Sequence, residues 1–361
     1  MRNTIGNNIT LTLYGESHGS SIGAVLDGLP AGIAVREDFI RHQLSLRRPQ
    51  GAVSTARVES DPFVIESGVW NGYTTGTPIM IRIPNGDTRS GDYEPRGARP
   101  GHADYAAHVK YGGFEDYRGG GHFSGRLTAA IVAAGAILLA ALSDKGITVA
   151  THIARIAGVE DRAFEDYERD AQILKDLPFP VLDAGQGEKM HRCILEAKTE
   201  GDSVGGILES VIVGLPAGVG EPTFDSLESN IAHGLFSIPA VKGVEFGKGF
   251  ALANMRGSEA NDTMRNIDGK VVLQSGNMGG IFGGISVGAP LTVRTAIKPT
   301  PTIAKQQATV SLPGLENITL AGKGRHDPCI VHRAAVVVSS MLALSAADML
   351  TMKLGTDWMR E

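Results

Sequence analysis

Cysteine and surplus positive charge are both scarce in this sequence. Its 361 residues include two cysteines, Cys193 and Cys329, too few for a disulfide framework or a cysteine-based zinc motif. The formal net charge is −5, so the basic surplus typical of nucleic-acid-binding proteins is lacking. We therefore expect a protein of a reducing compartment, with no metal centre and no nucleic-acid partner.

The sequence also lacks the features of exported and membrane-spanning chains. The first residues, MRNTIGNNITLTLYGESHG, do not have the basic-then-apolar layout of a signal peptide. The longest apolar run, 127–142, is rich in alanine and falls short of the roughly 20 residues that a membrane span needs. It predicts a buried core helix, and we expect a cytoplasmic protein that makes no contact with a membrane.

Glycine is the residue in excess, at 47 of 361 residues, or about 13% against the roughly 7% of average proteins. The glycines lie in short clusters beside polar residues: GESHG, GGGHFSGR, GDSVGG, GGIFGG and GKGRHD. Glycine permits positive φ and a close approach of backbone to a ligand. The clusters therefore predict one extended site assembled from several loops.

Three sequence patterns occur twice, in the same order. GLPAG is found at 28–32 and 214–218, and TGTPIMIRI at 75–83 is echoed by VGAPLTVRT at 287–295. A Gly-Arg pair precedes each of two long apolar segments, at 125–126 and 324–325. Chance similarity among glycine-rich turns is the alternative, but the shared order favours an internal duplication.

Hydrophobic periodicity predicts an α+β fold. The alternation in TPIMIRI and PLTVRTAI is typical of antiparallel strands with one wet face. Helices are predicted at 37–46 and after an N-cap at Asp225 with a capping-box Glu228. The two long apolar helices must be buried, so we picture them packed between antiparallel sheets, a β-α-β sandwich. We expect one domain over 1–361 with repeats near 1–150 and 200–361, joined by a charged excursion at 158–200.

Several short motifs carry residues capable of chemistry. GESHG places Ser17 and His18 after a strand, and RPGHADY places His102 after a turn; histidine exchanges protons near neutral pH. Each histidine has the plainer interpretation of a structural loop residue. In GGGHFSGR, the glycine run before a helix offers N–H groups to an anion, and Arg126 offers a guanidinium.

The remaining motifs are basic or stiff. KPTPTI is either a rigid loop with aligned polar groups or an ordinary proline-rich turn, and in GRHDPC a helix cap alone explains Asp327. Arg47 and Arg48 form a basic spot, for which a solvated charged face is the default explanation.

Together the motifs resemble one family along almost the whole chain. GESHG, RRP, TTGTPI, RPGHADY, DYRGGG, GDSVGG, GVGEPTFD, SIPAVKGVEFG, GGIFGGIS, IKPTPTI and KGRHDPC are similar, in order, to chorismate synthase motifs over about 4–350. The resemblance implies a 1,4-anti elimination of phosphate and a proton from 5-enolpyruvylshikimate 3-phosphate, with reduced FMN, by a homotetramer.

The resemblance also implies roles for individual residues. His18 matches the histidine that protonates reduced flavin, His102 the general acid for the leaving phosphate, and Ser17 and Asp327 the partners of a proton relay. Arg47, Arg48 and Arg126 match positions that bind substrate or NADP. Flavin contacts fall on the following positions: His122, Phe123, Ser124, Pro239, Ala240, Gly283, Lys298, Pro299, Thr300, Pro301, Thr302 and Arg325.

The chain departs from the family pattern in two places. Many members read GGGRSSARET where this chain has His122, Phe123 and Leu127, which replace an arginine, a serine and a glutamate. A further arginine linked with NADP is missing after RRP, which leaves open whether NADPH reduces the flavin on this chain or the flavin arrives reduced. A flavin oxidoreductase and a non-enzymatic flavin- or phosphate-binding protein are the competing hypotheses.

Overall fold

The computed structural model describes residues 2–49, 51–54, 60–86, 97–322 and 327–360. Within these ranges the strands are β1 (Thr4–Ile5), β2 (Thr10–Gly15), β3 (Ser21–Asp27), β4 (Val64–Ser67), β5 (Val69–Trp70), β6 (Tyr73–Thr74), β7 (Ile79–Pro84), β8 (Thr148–Ile156), β9 (Val159–Glu160), β10 (Gly206–Val213), β11 (Val241–Phe246), β12 (Met264–Ile267), β13 (Lys270–Leu273), β14 (Ile281–Phe282), β15 (Ile285–Ser286), β16 (Leu291–Ile297), β17 (Gln307–Val310) and β18 (Asn317–Leu320). The helices are α1 (Glu37–Arg47), α2 (Asp104–Tyr111), α3 (Thr128–Asp144), α4 (Tyr167–Leu174), α5 (Ala184–Thr199), α6 (Leu227–Phe236), α7 (Gly257–Ala260) and α8 (Val331–Leu354).

Two five-stranded sheets organise the chain. The first has the order β1-β2-β3-β7-β4 and the second the order β11-β16-β10-β8-β9, with antiparallel pairing throughout. In β7, Ile79, Ile81 and Ile83 are buried while the alternate residues are half-buried. The same alternation runs through β16. The two predicted strands and the mixed α+β class are thus confirmed.

The long helices α3 and α8 pack against each other in the core. Helix α3 also contacts β3 and β7 of the first sheet, whereas α8 contacts β8 and β10 of the second. The helical stretches Gly125–Asp144 and Val331–Leu354 have the length and composition of membrane spans, but 83% and 94% of their most apolar windows are buried inside the protein. The predicted burial of both helices is confirmed.

Two predictions about local structure need correction. Helix α6 is capped by Ser226, whose side chain accepts the Ser229 N–H at 3.1 Å, and not by Asp225. Asp225 has a left-handed φ of 57°, so it lies outside the helix and the predicted capping box does not form. The excursion at 158–200 is also more than a connection, because it forms α4 and α5, which pack against β8.

The two halves share an order of elements. The first sheet contains the series β2-β3-β7-β4, and the second contains β8-β10-β16-β11. A GLPAG turn follows both β3 and β10, and its first glycine has φ of 88° at Gly28 and 85° at Gly214. A helix follows each turn, α1 in one half and α6 in the other. The second Gly-Arg pair, at 324–325, lies outside the described residues.

Candidate active site

A cleft of about 670 Å³ opens where the glycine-rich turns before α3 meet the loop after β16 and the start of α8. Among the described residues, one carboxylate lines the cleft, that of Asp327, alongside several cationic side chains. The cations are Arg47, Arg99, Arg126, Lys242, Lys298 and Arg333. Such a surplus of positive charge in a concave site favours a small anionic ligand. We call this site the cationic cleft.

Most of the predicted site residues line this cleft. The structure brings together Arg47, His102, His122, Phe123, Ser124, Arg126, Pro239, Ala240, Lys298, Thr300, Pro301, Thr302 and Asp327. Other predicted residues are not part of its lining: Ser17, His18, Arg48, Gly283 and Pro299. Arg325 lies outside the described residues. Of the predicted glycine clusters, GGGHFSGR and GKGRHD contribute lining residues within the described ranges, whereas GESHG, GDSVGG and GGIFGG do not.

His102 is held by its two neighbours in the RPGHADY motif. Its Nδ1 lies 2.9 Å from Asp104 Oδ1, and Arg99 binds both oxygens of the same carboxylate, at 2.7 Å each. Burial alone would raise the pKa of Asp104, but the hydrogen bonds from Arg99 and His102 hold it well below its ordinary value. Asp104 is therefore ionised at neutral pH, and His102 Nδ1 is the donor to it, which leaves Nε2 for other partners.

The glycine run 119–121 lies between the two histidines. All three residues have positive φ, between 53° and 84°. A Cβ built on Gly120 would stand 2.9 Å from His102 Cε1, and one on Gly119 only 2.5 Å from His18 Cδ2. Glycine is therefore needed here for close approach as well as for conformation. His18 sits behind Gly119, which itself lines the cleft.

Ser17 shares this position behind the glycine run. It is buried, with 1% of its surface exposed, and its N–H donates to Gly121 O at 3.1 Å. Its Oγ would stand 2.9 Å from a Cβ on Gly119. Ser17 and His18 therefore lie against Gly119, next to Gly120, which His102 contacts.

Two of the cleft arginines share a buried carboxylate, Asp61. Arg47 Nη1 lies 3.4 Å from Asp61 Oδ2, and Arg126 Nη1 donates to Asp61 Oδ1. The side chains of Arg47, Asp61 and Arg126 are 4%, 0% and 5% exposed. Arg47 also donates to Thr128 Oγ1 at 2.9 Å, which links α1 to the first residue of α3. Asp61 thus fixes both guanidiniums at the base of the cleft. Arg48 points elsewhere and donates to Ser60 O.

Asp327 precedes α8 and pairs with Arg333 in that helix. Arg333 Nε in turn donates to the backbone oxygen of Arg47 at 2.8 Å. This hydrogen bond joins the start of α8 to the end of α1. Asp327 is therefore connected, through Arg333, to the same part of the structure that holds Arg47 and Arg126. Asp327 is therefore salt-bridged, as the simpler interpretation expects, but it does not cap α8, whose N-cap is Ile330. It also lines the cleft.

An aromatic ring and several polar side chains form the rest of the cleft. Phe123 is 37% exposed there, and His122 Nδ1 contacts Gly15 O at 2.9 Å. Lys298 Nζ donates to Gly101 O. Burial, and to a smaller extent the positive charge of Lys242, lowers the pKa of Lys298. Within the described part of the chain, the buried Thr300 Oγ1 has no hydrogen-bond partner. Buried hydroxyls are normally paired, so Thr300 is suited to a ligand oxygen.

Sequence analysis missed five residues of this site: Asp61, Arg99, Asp104, Lys242 and Arg333. Arg99 and Asp104 had a signal, because both flank His102 in a turn motif that already contained the expected general acid. Lys242 lies two residues after Ala240, which with Pro239 is a predicted flavin contact. Asp61 and Arg333 gave no comparable signal, because folding alone brings them to Arg47.

Comparison with known proteins gives a consistent result. A family model described as chorismate synthase matches residues 9–351. The chain is 47% identical over 347 residues to chorismate synthase of Korarchaeum cryptofilum, covering 95% of this chain and 96% of the relative. It is 46% identical over 346 residues to that of Thermococcus gammatolerans, with the same two coverages.

A solved structure agrees with the sequence relatives. A crystal structure of chorismate synthase superposes with a TM-score of 0.77 at 30% identity, covering 98% of this chain and 95% of the other. The resemblance stated from the motifs is therefore confirmed over almost the full length. This chain belongs to the chorismate synthase family.

Proposed function

We propose that this protein is a chorismate synthase, a lyase that removes phosphate and a proton from 5-enolpyruvylshikimate 3-phosphate to give chorismate, the last shared step of aromatic amino-acid biosynthesis. The observation that carries the proposal is the cationic cleft. The substrate bears two carboxylates and a phosphate. The cleft offers six arginine and lysine side chains, with His102 beside them. Charge-assisted hydrogen bonds from guanidiniums suit this set of anions.

His102 serves as the general acid for the departing phosphate. Its Nδ1 is occupied by Asp104, so the proton that reaches the leaving oxygen comes from Nε2. Negative charge grows on the phosphate as its bond to the ring breaks. Arg47 and Arg126, held by Asp61, are the substrate-binding arginines that offset this charge.

His18, Ser17 and Asp327 act in proton transfer at the flavin. Ser17 and His18 lie together behind Gly119, and Asp327 lines the cleft beside Arg333. His18 would hold the proton that the reduced cofactor needs, and Ser17 and Asp327 would pass on the proton that leaves the substrate. Asp327 would be kept in position for this role by its ion pair with Arg333.

Reduced FMN is the cofactor we propose for the same cleft. When bound, it supplies electron density to the reacting ring and a site that accepts the proton. The described residues fit such a group, because Phe123 and Ile238 give apolar walls and Thr300 Oγ1 is a buried hydroxyl without a partner in the described ranges. We assign its binding to His122, Phe123, Ser124, Pro239, Ala240, Lys298, Thr300, Pro301 and Thr302, which line the cleft. Pro299, Gly283 and Arg325 remain proposals from the family pattern alone.

The reductant and the setting of the enzyme are further proposals. Arg48 lies outside the cleft lining, and the arginine linked with NADP in the family is missing from this sequence. We infer that flavin is reduced elsewhere and that NADPH is not a substrate of this chain. We also propose a cytoplasmic homotetramer that contacts neither membranes nor nucleic acids.

The organisation of the chain is best explained by duplication within a single domain. The strand series β2-β3-β7-β4 and β8-β10-β16-β11 have the same order, and each is followed by one long buried helix. We infer two related halves, near 1–150 and 200–361, that form a β-α-β sandwich with α3 and α8 between the sheets. Contacts of α3 with the first sheet and α8 with the second support this inference.

An anaerobic assay of wild type and His102→Gln tests the proposal. Each protein receives 5-enolpyruvylshikimate 3-phosphate and dithionite-reduced FMN, and chorismate and phosphate are followed together. We expect wild type to release both, and His102→Gln to be slower by on the order of 10²-fold or more. The matched control is His233→Gln, which changes an exposed histidine on α6. A His102→Gln enzyme with unchanged turnover would rule out the general-acid role.

A further inference from the structure

We propose that Asp104 is a positioning residue for His102: it fixes the Nδ1–H form of the imidazole and balances the charge of the neighbouring Arg99. This inference deepens the proposed function, because it rests on His102 as the proton donor. Asp104 is the first residue of α2 and does not line the cleft. In this proposal it does not contact the substrate and acts through His102.

The hydrogen-bond directions follow from the chemistry of the groups. Asp104 Oδ1 is 2.9 Å from His102 Nδ1 and 2.7 Å from Arg99 Nη2, and an ionised carboxylate only accepts. Arg99 Nη2 also lies 3.1 Å from His102 Nδ1. A guanidinium only donates, so the close approach of the two nitrogens arises because both donate to one oxygen. Asp104 therefore determines which ring nitrogen carries the proton.

The second oxygen makes the arrangement rigid. Asp104 Oδ2 accepts from Arg99 Nε at 2.7 Å and from the Arg99 backbone N–H at 2.9 Å. The side chains of Arg99, His102 and Asp104 are 16%, 17% and 13% exposed, so solvent screens them only in part. On its far side His102 meets Gly120, so its ring is confined between the carboxylate and the backbone.

Charge makes the carboxylate necessary for a proton-donating histidine. The described charged and titratable groups around His102 are Arg99 in its own turn, Lys298 bound to Gly101 O, and His18 behind the adjacent Gly119. Arg99 and Lys298 are cations that disfavour a further positive charge nearby, whereas Asp104 is the carboxylate in direct contact with His102. Replacing that carboxylate removes the counter-charge that this contact supplies to a protonated imidazole.

Asp104→Asn removes the charge and keeps the shape. The N–H groups of Arg99 will donate to the amide oxygen of the new asparagine. Its NH₂ group then faces His102 Nδ1, and that nitrogen becomes an acceptor. We expect the imidazole to change from Nδ1–H to Nε2–H. Long-range ¹H–¹⁵N NMR of the histidines reports which ring nitrogen carries the proton, with His102→Gln to assign the signals. This readout requires neither substrate nor cofactor.

The kinetic effect of replacing Asp104 is expected in kcat rather than in KM. For Asp104→Asn we expect kcat to fall on the order of 10²-fold and KM to change by less than about threefold. Asp104→Glu, which restores the charge, recovers part of the loss. The matched control is Asp170→Asn, because Asp170 accepts from both Nη atoms of Arg162 at 2.9 and 2.5 Å, away from the cleft.

The outcomes separate this inference from the proposed function. A tautomer change of His102 in Asp104→Asn, absent in Asp170→Asn, supports Asp104 as the positioning residue even if the protein makes no chorismate. An unchanged His102 tautomer in folded Asp104→Asn overturns it, even if the wild type is fully active. If Asp104→Asn does not fold, the same spectra of Asp104→Glu decide: a retained Nδ1–H form supports the inference, and its loss contradicts it.

Discussion

At the scale of single residues, motifs predicted the groups of the cleft but not what holds them. His102, Arg126 and Lys298 stand in recognisable turns, so their chemistry was evident from the sequence. Asp61 stands in a loop with no motif around it, and its role depends on α1 ending beside the start of α3. A buried counter-ion of this kind has no signature in sequence, because its partners lie 14 and 65 positions away.

Replacing Asp61 tests this arrangement. Asp61→Asn removes the negative charge that two buried guanidiniums share, and breaking a buried ion pair costs about 3–5 kcal/mol. We expect that loss in the free energy of unfolding, measured by urea denaturation. Asp144→Asn is the control, because its pair with Arg36 is 48% exposed on each side and contributes less than about 1 kcal/mol. Equal losses in both variants would show that Asp61 is not the shared counter-ion.

At the scale of elements, the glycine run before α3 has another role besides the predicted one. The sequence predicted N–H groups for an anion, whereas the geometry shows backbone packed against His102 and His18. Neither the positive φ values nor these close approaches could be inferred from composition, because they arise only when separate loops meet. The positive φ values and the close approaches of neighbouring atoms together explain why residues 119 to 121 are glycines.

Gly120→Ala is the direct test of that packing. Its φ is 84°, and the new Cβ would stand 2.9 Å from His102 Cε1, so the imidazole must move. We expect kcat to fall at least about tenfold, with a cost of roughly 1–2 kcal/mol in stability for the left-handed alanine. Gly257→Ala is the control, since its Cβ meets no atom within 4 Å and its φ is ordinary. Full activity in folded Gly120→Ala would contradict the proposed tight fit.

The pairing of β8 with β10 contains a buried histidine that makes stability depend on pH. His152 is fully buried, with Nδ1 3.0 Å from Asp161 and Nε2 3.1 Å from Glu209. Burial alone would lower the pKa of His152, but the hydrogen bonds to Asp161 and Glu209 raise it above 6.5. A group whose pKa is raised by folding stabilises the protein fully at pH values below its pKa in the unfolded state. This contribution is lost as the pH rises through its pKa in the folded state.

We therefore expect the free energy of unfolding of wild type to decrease as pH rises from about 6.5 through the raised pKa of His152. His152→Gln should be less stable at pH 6 and lack this decrease. Asp161 acts at the acidic end: burial raises its pKa, but the His152 contact and two backbone N–H groups lower it overall, so its contribution is lost as pH falls through that lowered value. Denaturation curves at closely spaced pH values measure both limbs. Parallel pH profiles for the two proteins would exclude His152 as the source.

At the scale of the whole molecule, periodicity predicted the framework better than the connections. Alternation identified β7 and β16, and uniform apolarity identified α3 and α8 as core helices. The charged stretch 158–200 was harder to interpret, because α4 and α5 have a polar face each and their packing against β8 is decided by tertiary contact. The cleft likewise joins segments from residue 47 to residue 337, which no local pattern can place together.

The central claim is that this cleft carries out an elimination with no net oxidation, which distinguishes a chorismate synthase from a flavin oxidoreductase. The most direct measurement is the ratio of chorismate to phosphate released by wild type under strict anaerobiosis, with reduced FMN far below the substrate concentration. We predict equal amounts of both products, many per flavin, with the flavin still reduced at the end. Product that stops at one per flavin oxidised, or phosphate released without chorismate, would contradict this account.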